Sequence, residues 1–508
     1  LLSVSPDQGQ LASADSPCLR AAPEEEFLSS RHLKWIVTIL LVYFGLRLLF
    51  FAATIPLFVP PDEVTHFGVC RIFSEVFFLP ENLPETYAYG LVTNIPYLYY
   101  WIMGRLLTLN FFGISDLLFL RLLNIPLAFA TIFFVWRMLR ILTDDRLTHI
   151  LLIAAMTNTL MFSFLSASVS YDNLTNLLAA MAVYYLLVFF RTRSSDLLAA
   201  CFLCQLAGSL TKVTFLLLVM VLNIILLVHE FRNLRHLPAS SISYFRHADW
   251  RRGVLAFGVL VGLALNIQLY GINYVRYGSL APDMSKVLSP DKVMQHRTSA
   301  RNRIFSLFKE GKVSYEDALG MASQISHPGD RAATIYLVQN YAALKDNGTE
   351  LLGPLAYMAF WVQQMSAGIF GVAGHLPMLN FGPTIWLFYA LFALTGIGLL
   401  LRWRPRDAEG IPACLMVIAA FYGFFLMYGV NYQDYLYYGS PVLGVSGRYI
   451  FPVLGPLYVL FSYYLMRLFR GGRTRLGISL AVSILFIASD LPYFLVHSTP
   501  DWFAPIFP

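Results

Sequence analysis

An acidic pair, Asp62 and Glu63, opens the outward part of the stretch FVPPDEVTHF, directly behind a long and almost uncharged run. A carboxylate kept at a membrane boundary is a functional candidate by default, because charge is costly there. In a partly desolvated, outward-facing pocket it would take the proton of an attacking hydroxyl, which is general-base chemistry. The structural alternative is a helix start, where an acid caps free N–H groups and complements the dipole. Asp62 and Glu63 are the catalytic candidates.

Other polar groups fall at the outer ends of apolar runs: Asp172 in SVSYDN, Lys212 in GSLTKVT, then Gln433, Asp434, Arg448 and Tyr449. Asp172 also fits a helix N-cap, and Lys212 a snorkelling lysine. A cation at Lys212 suits a phosphate, as does the fork of Arg448. His66 shares a helical face with Asp62, so the two could ligate a metal. No second histidine or D-x-D spacing accompanies them, and no metal site is assigned. With Arg71 and Tyr99, these residues make up the candidate substrate-binding set. A carboxylate base beside phosphate-binding cations suits transfer of a group from a lipid phosphate. The acceptor hydroxyl loses its proton to the base, and the departing phosphate carries its own charge.

The elements that must position these groups are membrane helices. Of 508 residues, 57% are hydrophobic and only 13% charged, against roughly 25% charge in an ordinary soluble domain. This predicts an all-α polytopic membrane protein with about eleven spans. They lie near 35–58, 116–141, 147–169, 173–191, 195–211, 213–230, 253–275, 383–402, 411–430, 449–469 and 475–496. With the N-terminus inside, the inner connections carry Arg137, Arg140 and Arg146, then Arg191 and Arg193, then Arg232, Arg235, Arg246, Arg251 and Arg252, then Arg402, Arg404 and Arg406, and Arg467, Arg470, Arg473 and Arg475. The outer turns carry almost no basic residues, as the positive-inside rule requires. A further span at Ile95–Phe112 would put the later arginines outside. That segment, rich in Tyr and Trp, is therefore read as an interfacial outer helix, like Val64–Leu79.

The chain accordingly divides into a polar cytoplasmic tail (1–30), a transmembrane module (31–275) that includes the outer loop 59–115, a large outer loop or small helical subdomain (276–382), and a C-terminal transmembrane module (383–508). The net charge of +6 resides in short loops and reads as topology, not as nucleic-acid binding. Cys201 and Cys204 form a C-x-x-C inside an apolar helix, which argues against a redox or metal role.

The order of these motifs resembles the GT-C superfamily of membrane glycosyltransferases, the class of protein O-mannosyltransferases and lipid A aminoarabinose transferases. The shared plan is a first span, an outer loop opening with an acidic pair (PPDEVTH), and an interfacial helix near a proline (NIPYLYYW, 94–101). Gly113 to Leu122 then leads into the second span, followed by an outer-end acid (Asp172) and the GSLTK turn (208–212). The likeness covers roughly residues 35–275. Ile95 directly before Pro96 departs from the class, where a lysine or other polar residue often precedes that proline. Farther on, GIFGVAGHLP (368–377) and GVSGRYIFPVL (444–454) are similar to bacterial membrane proteins of unassigned function that share the acidic-pair loop.

The resemblance implies Asp62 as catalytic base, Lys212 and Arg448 as donor-phosphate contacts, a polyprenyl-phosphate-linked sugar as donor, and inversion at the anomeric carbon. The expected activity is a GT-C-type glycosyltransferase serving a glycan, lipid or protein acceptor at the outer face of a bacterial inner membrane, its site facing the periplasm or exterior. Membrane lipid is the other expected partner, and no cofactor is required, though a divalent metal is compatible with the plan. The alternative is a transporter or flippase of a lipid-linked glycan, which needs broken helices near the midplane and often repeats; no clear duplication is present.

Overall fold

The computed structural model describes residues 29–231, 249–348, 350–404 and 410–504. Nearly all of the expected tail, residues 1–30, lies outside them. The described chain is helical throughout, its only extended pairing being a single antiparallel bridge between Val372 and Met378.

The N-terminal helices are α1 (Ser30–Thr54), α2 (Glu63–Glu75), α3 (Leu98–Leu107), α4 (Asp116–Leu142), α5 (Arg146–Thr157), α6 (Leu160–Ser166), α7 (Tyr171–Thr192), α8 (Ser195–Ser209), α9 (Phe215–Glu230) and α10 (Trp250–Tyr277). A further helical segment follows, with α11 (Arg297–Lys309), α12 (Tyr315–Ser323), α13 (Pro328–Asn347) and α14 (Pro354–Ile369). The C-terminal helices are α15 (Pro383–Arg402), α16 (Ile411–Tyr438), α17 (Gly447–Leu468) and α18 (Gly472–His497).

Eight of these are long and apolar enough to cross a membrane, and the pair α5–α6, bent by 62°, makes a ninth candidate. The chain is a multi-pass membrane protein. Helices α8 and α9 stand where two more spans are expected, but they are shorter, so length and composition do not establish a count of eleven. The expected continuous span at 147–169 is broken because Asn158 leaves helical geometry. The break exposes the Thr157 carbonyl, and apolar surroundings demand a partner for it. Arg47 of α1 donates to that oxygen and, at 2.8 Å, to the Asn158 side chain.

Helix α3 has ten residues, so at 1.5 Å per residue it covers about 15 Å, half of a bilayer core. It packs on α2, and Arg105 ties the two by donating to the carbonyls of Phe73 and Val76. Helix α7 packs on α4 and α8, while α17, buried along most of its length, packs on α15. Helices α11 to α13 enclose a small core of Ala300, Ile304, Ala318, Ile325 and Val338.

Candidate functional site

Pro60 and Pro61 end the approach from α1, and the chain reverses into α2 through Asp62, which adopts φ 58°, ψ 11°. Left-handed backbone is uncommon outside glycine, and Asp and Asn tolerate it best. Asp62 stands at the N-cap position but makes no side-chain capping bond. The turn directs its carboxylate instead into a cavity of about 750 Å³ bounded by α11, α13, the 364–379 segment, the end of α16 and the start of α17.

The backbone turn splits the acidic pair. Glu63 is fully buried, takes both forks of Arg121 (2.8 and 2.5 Å) and accepts the Val169 N–H at 2.7 Å. Arg121 also donates to the carbonyls of Ala52 and Ile55, so the cluster fastens the end of α1 to α4 and the α6–α7 connection. Glu63 does not line the cavity, whereas Asp62 does.

At the cavity, Arg448 Nη2 lies 2.5 Å from Asp62 Oδ2, and Arg297 Nη2 lies 3.2 Å from Asp62 Oδ1. The Asp62 side chain is 42% exposed, and that exposure is to the cavity. Burial pushes its carboxyl up, but Arg448, His66 and Arg297 together outweigh burial and hold it below the usual carboxylate range. Arg448 also donates to the Pro61 carbonyl at 3.3 Å and lies 3.6 Å from Asp172 Oδ2. Behind it, Lys212 Nζ is 2.5 Å from Asp172 Oδ1 and packs over the rings of Tyr171 and Tyr449.

Three sequence motifs thus converge. The 368–377 stretch passes so close to the acidic turn that His375 N–H donates to Val59 O, and a Cβ on Gly374 would lie 2.3 Å from that oxygen. Gly368 and Gly447 meet back to back, a Cβ on Gly447 falling 2.4 Å from the Gly368 carbonyl carbon. Only glycine permits this approach, and it sets the position of Arg448.

Among the other candidates, Asp434 and Tyr449 line the cavity. Helix α16 continues through a π turn to Tyr438, so Gln433 and Asp434 belong to its last turns and not to a loop. Gln433 is exposed, bonds the Tyr428 carbonyl and does not reach the cavity. Arg71 is exposed on α2 and also lies outside the lining; Tyr99 is buried, donating to Asn124. Asp172 and Lys212 form a buried layer behind Arg448, so neither touches the cavity, and Ser170, not Asp172, caps α7. His66 is also behind, 2.8 Å from the Tyr100 hydroxyl and edge-on to Tyr171. Burial is the main reason that its pKa falls to about 4, with Arg448 and Lys212 adding to the fall and Asp62 and Asp172 opposing it. Among the described residues, no three His, Cys, Asp or Glu side chains are grouped to hold a metal.

The α11–α13 segment contributes residues absent from the sequence reading. Arg297 and Arg301 stand at i and i+4 on α11, both facing Asp330 (3.3 and 3.9 Å). His327 lies 3.0 Å from Asp330, and His375 lies 3.4 Å from Arg297. The RTSAR spacing is the available signal for them. Beside the polar cavity runs an apolar groove of about 460 Å³ lined by α14, α15, α16 and α17. The two share consecutive residues: Gly368 and Tyr449 face the cavity, Ile369 and Ile450 the groove.

No family model matches the chain, and no curated protein is recognisably similar in sequence. Among solved structures it is similar to the oligosaccharyltransferase AglB from Archaeoglobus fulgidus in complex with an inhibitory peptide and a dolichol-phosphate. The identity is 13% and the TM-score 0.44, covering 93% of this chain and 59% of that one. It is also similar to ArnT from Cupriavidus metallidurans bound to undecaprenyl phosphate, at 14% identity and a TM-score of 0.35, covering 93% of this chain and 82% of that one. The chain spans about three fifths of the length of the AglB chain it matches.

Proposed function

We propose that this protein is an inverting glycosyltransferase that moves a sugar from a polyprenyl-phosphate-linked donor to an envelope glycan, lipid or protein on the outer face of a bacterial inner membrane. The observation that carries the reading is the junction of two unlike spaces: a polar cavity holding a carboxylate and two arginines, and an apolar groove that begins one residue away. A lipid phosphate has that same division. Its chain fits the groove, and its phosphate fits the forks of Arg448 and Arg297.

In the proposed reaction, the acceptor hydroxyl gives its proton to Asp62 while its oxygen attacks the anomeric carbon from the face opposite the phosphate. The bond from that carbon to the phosphate oxygen breaks, and its electron pair leaves with the polyprenyl phosphate, whose charge the arginines meet. Lys212 acts through Asp172 on Arg448, not on the phosphate itself. The arginines supply positive charge without a metal.

The test is mass spectrometry of lipid co-purified with the intact chain, paired with transfer of labelled sugar from a lipid extract to membrane acceptors. A bound polyprenyl phosphate and transfer that is lost in Asp62→Asn are expected. Full transfer by Asp62→Asn would remove Asp62 as base.

A further inference from the structure

The two arginines on Asp62 come from distant parts of the chain, Arg448 from the opening of α17 and Arg297 from α11, and each takes a different carboxylate oxygen. Both also line the cavity. Two guanidinium forks converging on two oxygens of one anionic centre are what a phosphate requires. We infer that, in the unliganded chain, the Asp62 carboxylate occupies the place of the donor phosphate between Arg448 and Arg297, so that donor binding must draw both arginines off Asp62 before it can accept the acceptor's proton. This inference rests on the glycosyl-transfer reading. It adds to it an order of binding, donor before acceptor, a second phosphate contact, Arg297, and a positioning residue, Asp330.

The geometry supports each part. A carboxylate with both oxygens committed to guanidinium groups has little left for an incoming hydroxyl, and the same arginines hold its pKa down. Once the arginines turn to a phosphate, an anion replaces bare positive charge beside Asp62, and its basicity rises. Neither arginine is stranded by the exchange. Arg297 keeps Asp330 at 3.3 Å, itself held by His327. Arg448 keeps the Pro61 carbonyl and Asp172. The buried Nε of Arg448 has no hydrogen-bond partner among the described residues and is a further donor for a phosphate oxygen.

The experiment titrates undecaprenyl phosphate against the full chain in lipid nanodiscs. Asp62→Asn, which removes the competing charge, is expected to bind about tenfold tighter, and Arg297→Ala about tenfold weaker, the range of one charge-assisted hydrogen bond. Asp330→Asn should bind a few-fold weaker at unchanged thermal stability, and Arg297→Lys should recover part of the loss. If Arg297→Ala fails to fold, Arg297→Lys and Asp330→Asn carry the test. A wild type that binds while Asp62→Asn is no tighter and the Arg297 and Asp330 variants no weaker would overturn this inference alone. A wild type that binds no undecaprenyl phosphate would overturn the donor reading and the inference with it. Inorganic phosphate run in parallel separates the sources: binding as tight as that of the lipid would rule out a lipid headgroup as the specific ligand.

Discussion

Two arginine–aspartate pairs in this chain use the same chemical groups to different ends. Arg47 and Asp490 lie 2.9 Å apart with both side chains wholly buried, between α1, the broken α5–α6 pair and α18, whose helix stops at Ala488 and resumes at Leu491; Ser163 donates to the other Asp490 oxygen at 2.8 Å. Arg448 and Asp62 are closer still, yet Asp62 opens onto a cavity and stands on left-handed backbone. The first pair supplies partners where a helix breaks among apolar neighbours. The second keeps a carboxylate and a cation within reach of a ligand. Access to a cavity, not the length of the ion pair, distinguishes the two.

Substitutions at matched positions would break this contrast or sharpen it. The largest effect is expected for Asp62→Asn, with transfer falling about 10²- to 10⁴-fold, the usual worth of a general base. Its melting temperature should fall less than that of Asp490→Asn, because Asn tolerates the same backbone and Arg448 keeps Asp172 and the Pro61 carbonyl. Asp490→Asn should do the reverse. It leaves Arg47 buried without its counter-charge, which costs about 3–5 kcal/mol of stability, while turnover per folded molecule is kept. A thermal melt beside a transfer assay decides both, and similar profiles for the two variants would erase the distinction.

A smaller effect comes from His66, which belongs to the cavity-side cluster. Its pKa is about 4 when folded against 6.5 unfolded. The unfolded chain therefore takes up a proton between those values that the folded chain refuses, and stability falls as pH drops from 6.5 to 4. The full difference is about 3 kcal/mol. His66→Gln should flatten the melting curve in that window; an unaltered pH slope would show that His66 is readily protonated in the fold. Gly447→Ala comes next, with about 1–3 kcal/mol of overpacking and weaker donor binding as Arg448 shifts. The smallest effect is expected from chelation. EDTA should leave transfer unchanged, and a loss restored by a divalent cation would overturn an arginine-only phosphate site.

The sequence made some of this site legible and hid the rest for physical reasons. Asp62, Asp172, Lys212 and Arg448 stand out because a charge at the end of an apolar run is rare and conspicuous. Arg297 and Asp330 lie in a polar segment where charged residues are ordinary, so little beyond the RTSAR spacing marks them, and His375 stands in the 368–377 motif, whose place beside Asp62 only the fold reveals. The division of labour between Asp62 and Glu63 depends on one backbone angle and on Arg121, some sixty residues away. Spans were readable from hydrophobic length, but the break at Asn158 was masked by the continuous apolar run on either side. Arg47, the one charge in the apolar run 35–58, was the available clue to it.

The contact between Gly368 and Gly447 carries a consequence for how such chains diverge. Each glycine leaves no room for a side chain on the other, although about eighty positions separate them. Drift at either is therefore coupled to drift at both. In any set of descendants that keep this site, the two positions should stay glycine together or change together, so the pair forms a signature by which further members could be found when overall identity has faded.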